Sequence, residues 1–286
     1  MNTTTTTKFT TFSFRRRSVL PGFGISLGFT IFYASLIVLI PLSAVFIRTT
    51  SLSWGEFCDA AFSEFALPAY RVTFLCSFAA ALVDAFFGLI LAWVLTRYSF
   101  PGRRIVDALV DLPFALPTAV TGISLSMVYS KNGWIGSWIE GYLGIQVAYS
   151  TLGIFVALTF IGLPFVVRTL QPVMEDLEPE IEEVAATLGA SRLQTLFKVI
   201  IPQLIPALLT GFALAFARAL GEYGSVVFIS SNTPKKSQIA PLIIYQQLEQ
   251  KNYPGATAVA TVLLVASFLL LLLINLLQKW SRRHQQ

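Results

Sequence analysis

Three long runs of this chain carry no charged side chain: Ser18–Ile47, Gly141–Val167 and Asn252–Gln278 contain no Asp, Glu, Lys or Arg. A hydrocarbon layer of ~30 Å, at 1.5 Å of helical rise per residue, asks for ~20 residues, so each run is long enough to cross a bilayer. Composition agrees. The chain is 55% hydrophobic and 12% charged, whereas soluble domains run at about 45–50% apolar and 25% charged. The expected fold class is all-α, a polytopic membrane protein with six transmembrane helices.

The spans are expected at roughly 23–47, 72–96, 106–129, 148–167, 204–229 and 255–277. The third has Asp107 and Asp111 near its start and is interrupted by Pro113 and Pro117. Proline is tolerated in a membrane helix where neighbours satisfy the freed carbonyls, so this segment is expected inside the bundle. Orientation follows from Lys and Arg, which favour the cytoplasmic side. With the N-terminus inside, the inner connections hold Lys8, Arg15, Arg16, Arg17, Arg97, Arg103, Arg104, Arg168, Arg192, Lys198, Lys279, Arg282 and Arg283. The outer ones hold only Arg48, Arg71, Lys131, Lys235, Lys236 and Lys251. Both termini are therefore expected in the cytoplasm. The expected organisation is a tail at 1–22, a six-span domain at 23–278 and a tail at 279–286. The basic start Arg15–Arg17 resembles a signal peptide, but the apolar run behind it exceeds a signal core of about 7–15 residues, so an uncleaved anchor is expected.

Several functions are disfavoured. The formal charge of +5 sits beside the apolar runs, as topology requires, and does not form a nucleic-acid patch. The cysteines Cys58 and Cys76 form no CxxC pair and the sole histidine is His284, so no zinc, haem or other cofactor is expected. No G-x-x-x-x-G-K-[ST] loop occurs, so the chain is not expected to bind ATP itself.

The longest inner connection, within 171–203, looks soluble. Six acids lie between Glu175 and Glu183. A short helix is expected from Pro179, with Ile181, Val184, Ala185 and Leu188 on one face and Gly189 as its stop. A second opens at Ser191, where Ser191 and Gln194 fit a capping box, with Leu193, Leu196, Phe197 and Ile200 apolar, and Pro202 either ends it or kinks it into span five. Helices this short are unstable alone, so their apolar faces are expected to be buried either on the protein's own spans or in a groove of a partner.

The order Glu183-Val184-Ala185, then Gly189, then Val199-Ile200-Ile201-Pro202 resembles the EAA loop of ABC importer permeases. Val184 departs from the family's first Ala. The resemblance implies a type I ABC importer permease fold whose hairpin seats in a cleft of a separate ATPase subunit, with Glu183, Ala185, Ala186, Gly189 and Ser191 at the coupling contact. Thr96–Ile123, Phe216–Ser230, Ser231–Ala260 and Ile274–Trp280 are similar to the sulfate/molybdate branch, and the last two to T-type subunits of sulfate/thiosulfate importers. The family-like core spans about 69–278. The implied partners are a W-type permease subunit, two copies of an ATP-binding subunit, a periplasmic sulfate-binding protein and membrane lipid. The implied location is the cell inner membrane and the implied mechanism is alternating access. Within the branch, molybdate or tungstate is the alternative cargo. An ion-coupled secondary transporter would more typically show internal repeats.

A dianion needs compensation inside a membrane. Arg218 is the one basic residue within an expected span, and Glu222 lies one helical turn on. The pair either biases an anion path or neutralises itself and braces the bundle, the second reading being favoured. Gly221 and Gly224 beside it permit a bend or close packing. Asp84 is a further intramembrane acid with no evident partner. Asp107 and Asp111 are expected near the inner interface beside Arg103 and Arg104. Trp54, Trp134, Trp138 and Trp280 are expected to anchor at the interfaces, Trp134 and Trp138 alternatively touching the binding protein.

Overall fold

The computed structural model describes residues 23–283, with the side chains of Pro179 and of 277–283 left aside. His284 and the Trp280 side chain lie outside what is described. Two compact units meet after Ile47. The first contains most of α1, Phe23–Thr49, an apolar helix of 27 residues with no buried side chain and a π-turn at Ser35–Leu39.

In the second unit come α2 (Trp54–Ala61) and α3 (Ala66–Arg97). Three short helices follow, α4 (Arg103–Val110), α5 (Leu112–Ala115) and α6 (Thr118–Tyr129), then α7 (Gly136–Leu143). The remainder is α8 (Thr151–Glu175), α9 (Pro179–Thr187), α10 (Arg192–Leu220), α11 (Gly224–Ile229), α12 (Ala240–Glu249) and α13 (Tyr253–Arg283). The described residues form helices and connections, with no strand among them. Five helices are long and apolar enough to cross a bilayer: α1, α3, α8, α10 and α13.

The expected third span is not one helix. Pro113 lies in the first turn of α5, Leu116 turns extended at ψ 135° ahead of Pro117, and α6 begins beyond it. Steric conflict between a proline ring and the residue before it pushes that residue out of helical geometry. At 12 residues, α6 covers only ~18 Å. The fifth span is likewise divided, since α10 stops at Leu220 and α11 starts at Gly224. α3 begins earlier, and α8 ends later, than their hydropathy suggested.

α3, α8 and α10 are the heart of the bundle. A Cβ on Gly88 or on Gly211 would strike Val166, and one on Gly162 would strike Asp84 and meet Ala215. These matches make α3 and α8 parallel and α10 antiparallel to both. Apolar side chains gain little by leaving lipid for protein, so membrane helices associate where small residues let backbones approach. Ala80, Ala81, Ala215 and Ala219 extend this seam, all buried.

Candidate functional site

The hairpin end of the bundle follows the local rules read from the sequence. Proline opens α9. At its other end Gly189 takes φ +82°. Ala190 N–H donates to Ala185 O and Gly189 N–H to Ala186 O, both at 3.0 Å. That is a Schellman stop, which needs a left-handed residue and therefore favours glycine. Ser191 then caps α10: its N–H donates to Gln194 Oε1 at 2.8 Å, and its Oγ accepts from Gln194 N at 3.4 Å.

Of the two courses open to the second hairpin helix at Pro202, an end or a kink into span five, the chain takes the second. Residues 192–195 lead through a π-turn at Leu196–Ile200 into the long apolar part of α10. Pro202 has no N–H to continue the ladder, and a widened turn just ahead of it relieves the ring's clash with the preceding turn. A push on the hairpin thus passes directly into a bundle helix.

Glu182, on α9, forms an ion pair with Arg97 at the end of α3, at 3.2 Å. Glu183, Ala186, Gly189 and Ser191 are exposed and Ala185 is buried. Ile200 is buried in the core. Leu196 packs against that core and Ile181 is half-buried, whereas Val184 is 56% exposed, Leu188 82%, Leu193 68% and Phe197 62%. A shallow hollow of about 360 Å³ lies among Glu180, Ile181, Val184, Ala185, Leu188 and Val199. Of the two expected homes for this face, the protein's own spans supply little cover.

Behind the hairpin sits a polar junction that the sequence reading placed differently. Arg168 lies within α8, not in a connection. Its Nε and Nη2 donate to the two oxygens of Asp111 at 2.7 and 2.6 Å. Nη1 donates to Asp107 Oδ1 at 2.7 Å and to Gln171 Oε1 at 2.6 Å, and Nη2 also to Asp107 O at 2.8 Å. The partner of Asp107 and Asp111 is therefore Arg168, beyond the expected neighbours Arg103 and Arg104. The i, i+4 carboxylates on one helix face were the available signal for it.

Deeper in the bundle, Arg218 Nη1 bonds Glu222 Oε2 at 2.6 Å. The other oxygen, Oε1, accepts from Ser225 N at 2.9 Å and Ser225 Oγ at 2.8 Å. Glu222 is 3% exposed, whereas about a third of the Arg218 side chain is exposed, at 34%. The carboxylate thus holds α11 to the end of α10 across the break. α11 crosses α6 closely: Gly224 lies against Thr118, and Gly122 against the Ser225 backbone. Gly221 sits in the break itself, with open space beside it. Two interrupted segments therefore meet beside the one basic residue of the fifth span.

Asp84 is buried against Gly162, with neither oxygen hydrogen-bonded among the described residues. Trp54, Trp134 and Trp138 are exposed. Among the described residues no three His, Cys, Asp or Glu side chains gather as a metal ligand set.

Comparison with known proteins adds the following. Residues 84–285 match the family model described as binding-protein-dependent transport system inner membrane component. The chain is 49% identical over 268 residues to the sulfate transport system permease protein CysT of Salmonella typhimurium, covering 93% of this chain and 96% of that one. It is 51% identical over 255 residues to the same-named protein of Synechocystis, 89% of each chain. It is 50% identical over 254 residues to a probable sulfate transport system permease protein of Nephroselmis olivacea, again 89% of each. Among solved structures, a chain of a bacterial alginate ABC transporter superposes with a TM-score of 0.74 at 17% identity, over 92% of this chain and 94% of that one. A chain of the MetNI methionine ABC transporter gives a TM-score of 0.53 at 18% identity, over 81% and 99%. At these identities the structural matches speak for the fold alone.

Proposed function

The chain belongs to the binding-protein-dependent transport system inner membrane components, and from that membership we propose that it is the permease subunit of an ATP-driven sulfate importer. It is a transport subunit and not itself an enzyme. The cargo rests on the names of relatives that match nearly the whole chain, and these favour sulfate over molybdate or tungstate. Thiosulfate, close in charge and shape, belongs to the same reading. Energy comes from a separate ATP-binding subunit, in keeping with a sequence that contains no phosphate-cradling Walker loop, and the family resemblance implies two copies of it per complex. A W-type permease subunit completes the membrane part and a periplasmic sulfate-binding protein delivers the anion.

The observation that carries the coupling proposal is the exposed apolar face of a hairpin whose turn is capped on both sides. Leu188, Leu193 and Phe197 are more than half exposed on a turn fixed by Gly189 and Ser191. A rigid, capped turn presenting unburied leucine and phenylalanine is suited to a groove in another protein. Glu183, Ala185, Ala186, Gly189 and Ser191 form or shape that contact. Closure of the ATPase subunits moves the hairpin. The motion reaches α10 by chain continuity, α3 through Arg97–Glu182, and α8 through the connection at 176–178. Arg168 passes it on from α8 to α4 and α5. The bundle then alternates between outward and inward access. Both termini and the hairpin lie in the cytoplasm, and the tails at 1–22 and 279–286 flank the six-span domain.

Arg218 and Glu222 act first as a brace, since Glu222 satisfies two elements at once. The remaining donors of Arg218 are available to a passing anion.

Leu188→Asp tests the coupling. The residue is so exposed that the fold has no reason to change. The variant should reach the membrane at normal level, yet lose most co-purification with the ATP-binding subunit and most ATP-driven uptake, at least tenfold for the loss of about 1.4 kcal/mol or more of contact energy. Unchanged association and uptake would refute the docking role.

A further inference from the structure

Two hollows adjoin along one stripe of α3. The first has a volume of about 640 Å³, lies between α3, α10 and α13, and is lined entirely by apolar side chains. Phe78 meets Phe212 and Phe216 edge-on, at 5.6 and 6.2 Å between ring centroids. The second, of about 570 Å³, is bordered by Arg71, Lys235 and Thr151. Leu75 lines both. Leu67, Arg71, Leu75, Phe78 and Leu82 follow helical spacing, so the hollows form one groove with a cationic mouth and an apolar floor.

Charge and shape both define the occupant. Arg71 is exposed and has no ion-pair partner among the described residues. Lys235 Nζ bonds Glu64 Oε2 at 2.7 Å and lies 5.1 Å from the Phe65 ring centroid. Thr151 Oγ1 donates to Lys236 O at 3.3 Å. Two cations and one carboxylate leave the mouth with one positive charge, the complement of one phosphodiester. From Arg71 to Ala85 the groove descends ~21 Å along α3, more than half of a ~30 Å hydrocarbon core. The apolar hollow follows α3 over the ~16 Å from Phe74 to Ala85 with no polar side chain along it, a lining suited to an acyl chain.

We propose that this groove binds a phospholipid with an anionic headgroup, its phosphodiester on Arg71 and Lys235 and an acyl chain in the apolar hollow that Phe78 and Phe212 line. Basic residues at a membrane boundary attract anionic lipid generally. The continuous apolar slot beneath them turns that attraction into a site.

The test is native mass spectrometry of the full-length chain, purified with its accompanying subunits, delipidated and then offered phosphatidylglycerol or phosphatidylethanolamine. Phosphatidylglycerol should be retained severalfold more. Arg71→Gln combined with Lys235→Gln should bring it down to the phosphatidylethanolamine level, and Leu82→Trp, filling the slot at a half-exposed position, should lower both. Equal retention of the two lipids, or unchanged phosphatidylglycerol binding in the double variant, would overturn the proposal. So would displacement of phosphatidylglycerol by inorganic sulfate or phosphate, which would make the mouth a free-oxyanion site. Efficient cross-linking of a Phe78→Cys variant to another subunit would overturn it too, by placing a protein helix there.

Discussion

Glu222 uses its two oxygens differently, one on Arg218 and one on the start of α11. A brace of this kind makes a prediction that an anion path does not. Removing Arg218 leaves a buried carboxylate without its cation, whereas removing both partners leaves no unpaired charge. Arg218→Ala should therefore lower the thermal stability of the purified complex, by about 1–3 kcal/mol given that the arginine is partly exposed. Arg218→Ala with Glu222→Ala should recover part of that loss and of the membrane level. Equal loss of transport in both variants, at normal stability, would instead assign Arg218 to the anion path. This pair was legible in the sequence because its partners are only four residues apart. Gly189, Ser191 and Gln194 were legible for the same reason: stops and caps are written in adjacent residues.

At the level of elements, sequence periodicity located the long helices but not the breaks. Hydropathy is blind to a kink, so 106–129 reads as one apolar run, and only Pro113 and Pro117 hint at three helices. The start of α3 and the end of α8 were missed because Arg71 and Arg168 end an apolar run without ending the helix. Arg168 was missed as a partner of Asp107 and Asp111 because 61 and 57 residues separate them; only folding brings them together. That junction fixes α4 and α5 to α8. Arg168→Lys keeps the charge but loses the planar fork that serves both carboxylates. It should lower unfolding stability by about 1 kcal/mol, and Arg168→Ala by about 1–2 kcal/mol, allowing for the solvent that reaches the junction. Thermal unfolding of the purified variants measures both. Asp107→Asn with Asp111→Asn added to Arg168→Ala should be milder than Arg168→Ala alone. If all three variants match the parent, the junction is a surface ornament.

For the whole molecule, the excess of Lys and Arg on one set of connections predicts the direction of insertion, with the hairpin on the cytoplasmic side and Arg71 on the opposite side. A Ser191→Cys variant should react with an impermeant maleimide only in inside-out vesicles. Labelling in intact cells would reverse the topology and separate the hairpin from any cytoplasmic ATPase. Local physics thus supplies the hairpin and the long spans, while the anion's identity comes from relatives, because no oxyanion-specific cage can be read from single residues. The central claim is tested most directly by uptake of labelled sulfate in cells lacking this chain, with and without its restoration, and with molybdate as competitor. Restoration should return ATP-dependent sulfate uptake that excess molybdate barely affects. Failure to restore sulfate uptake at normal membrane levels, with rescue of molybdate-dependent growth instead, would contradict it.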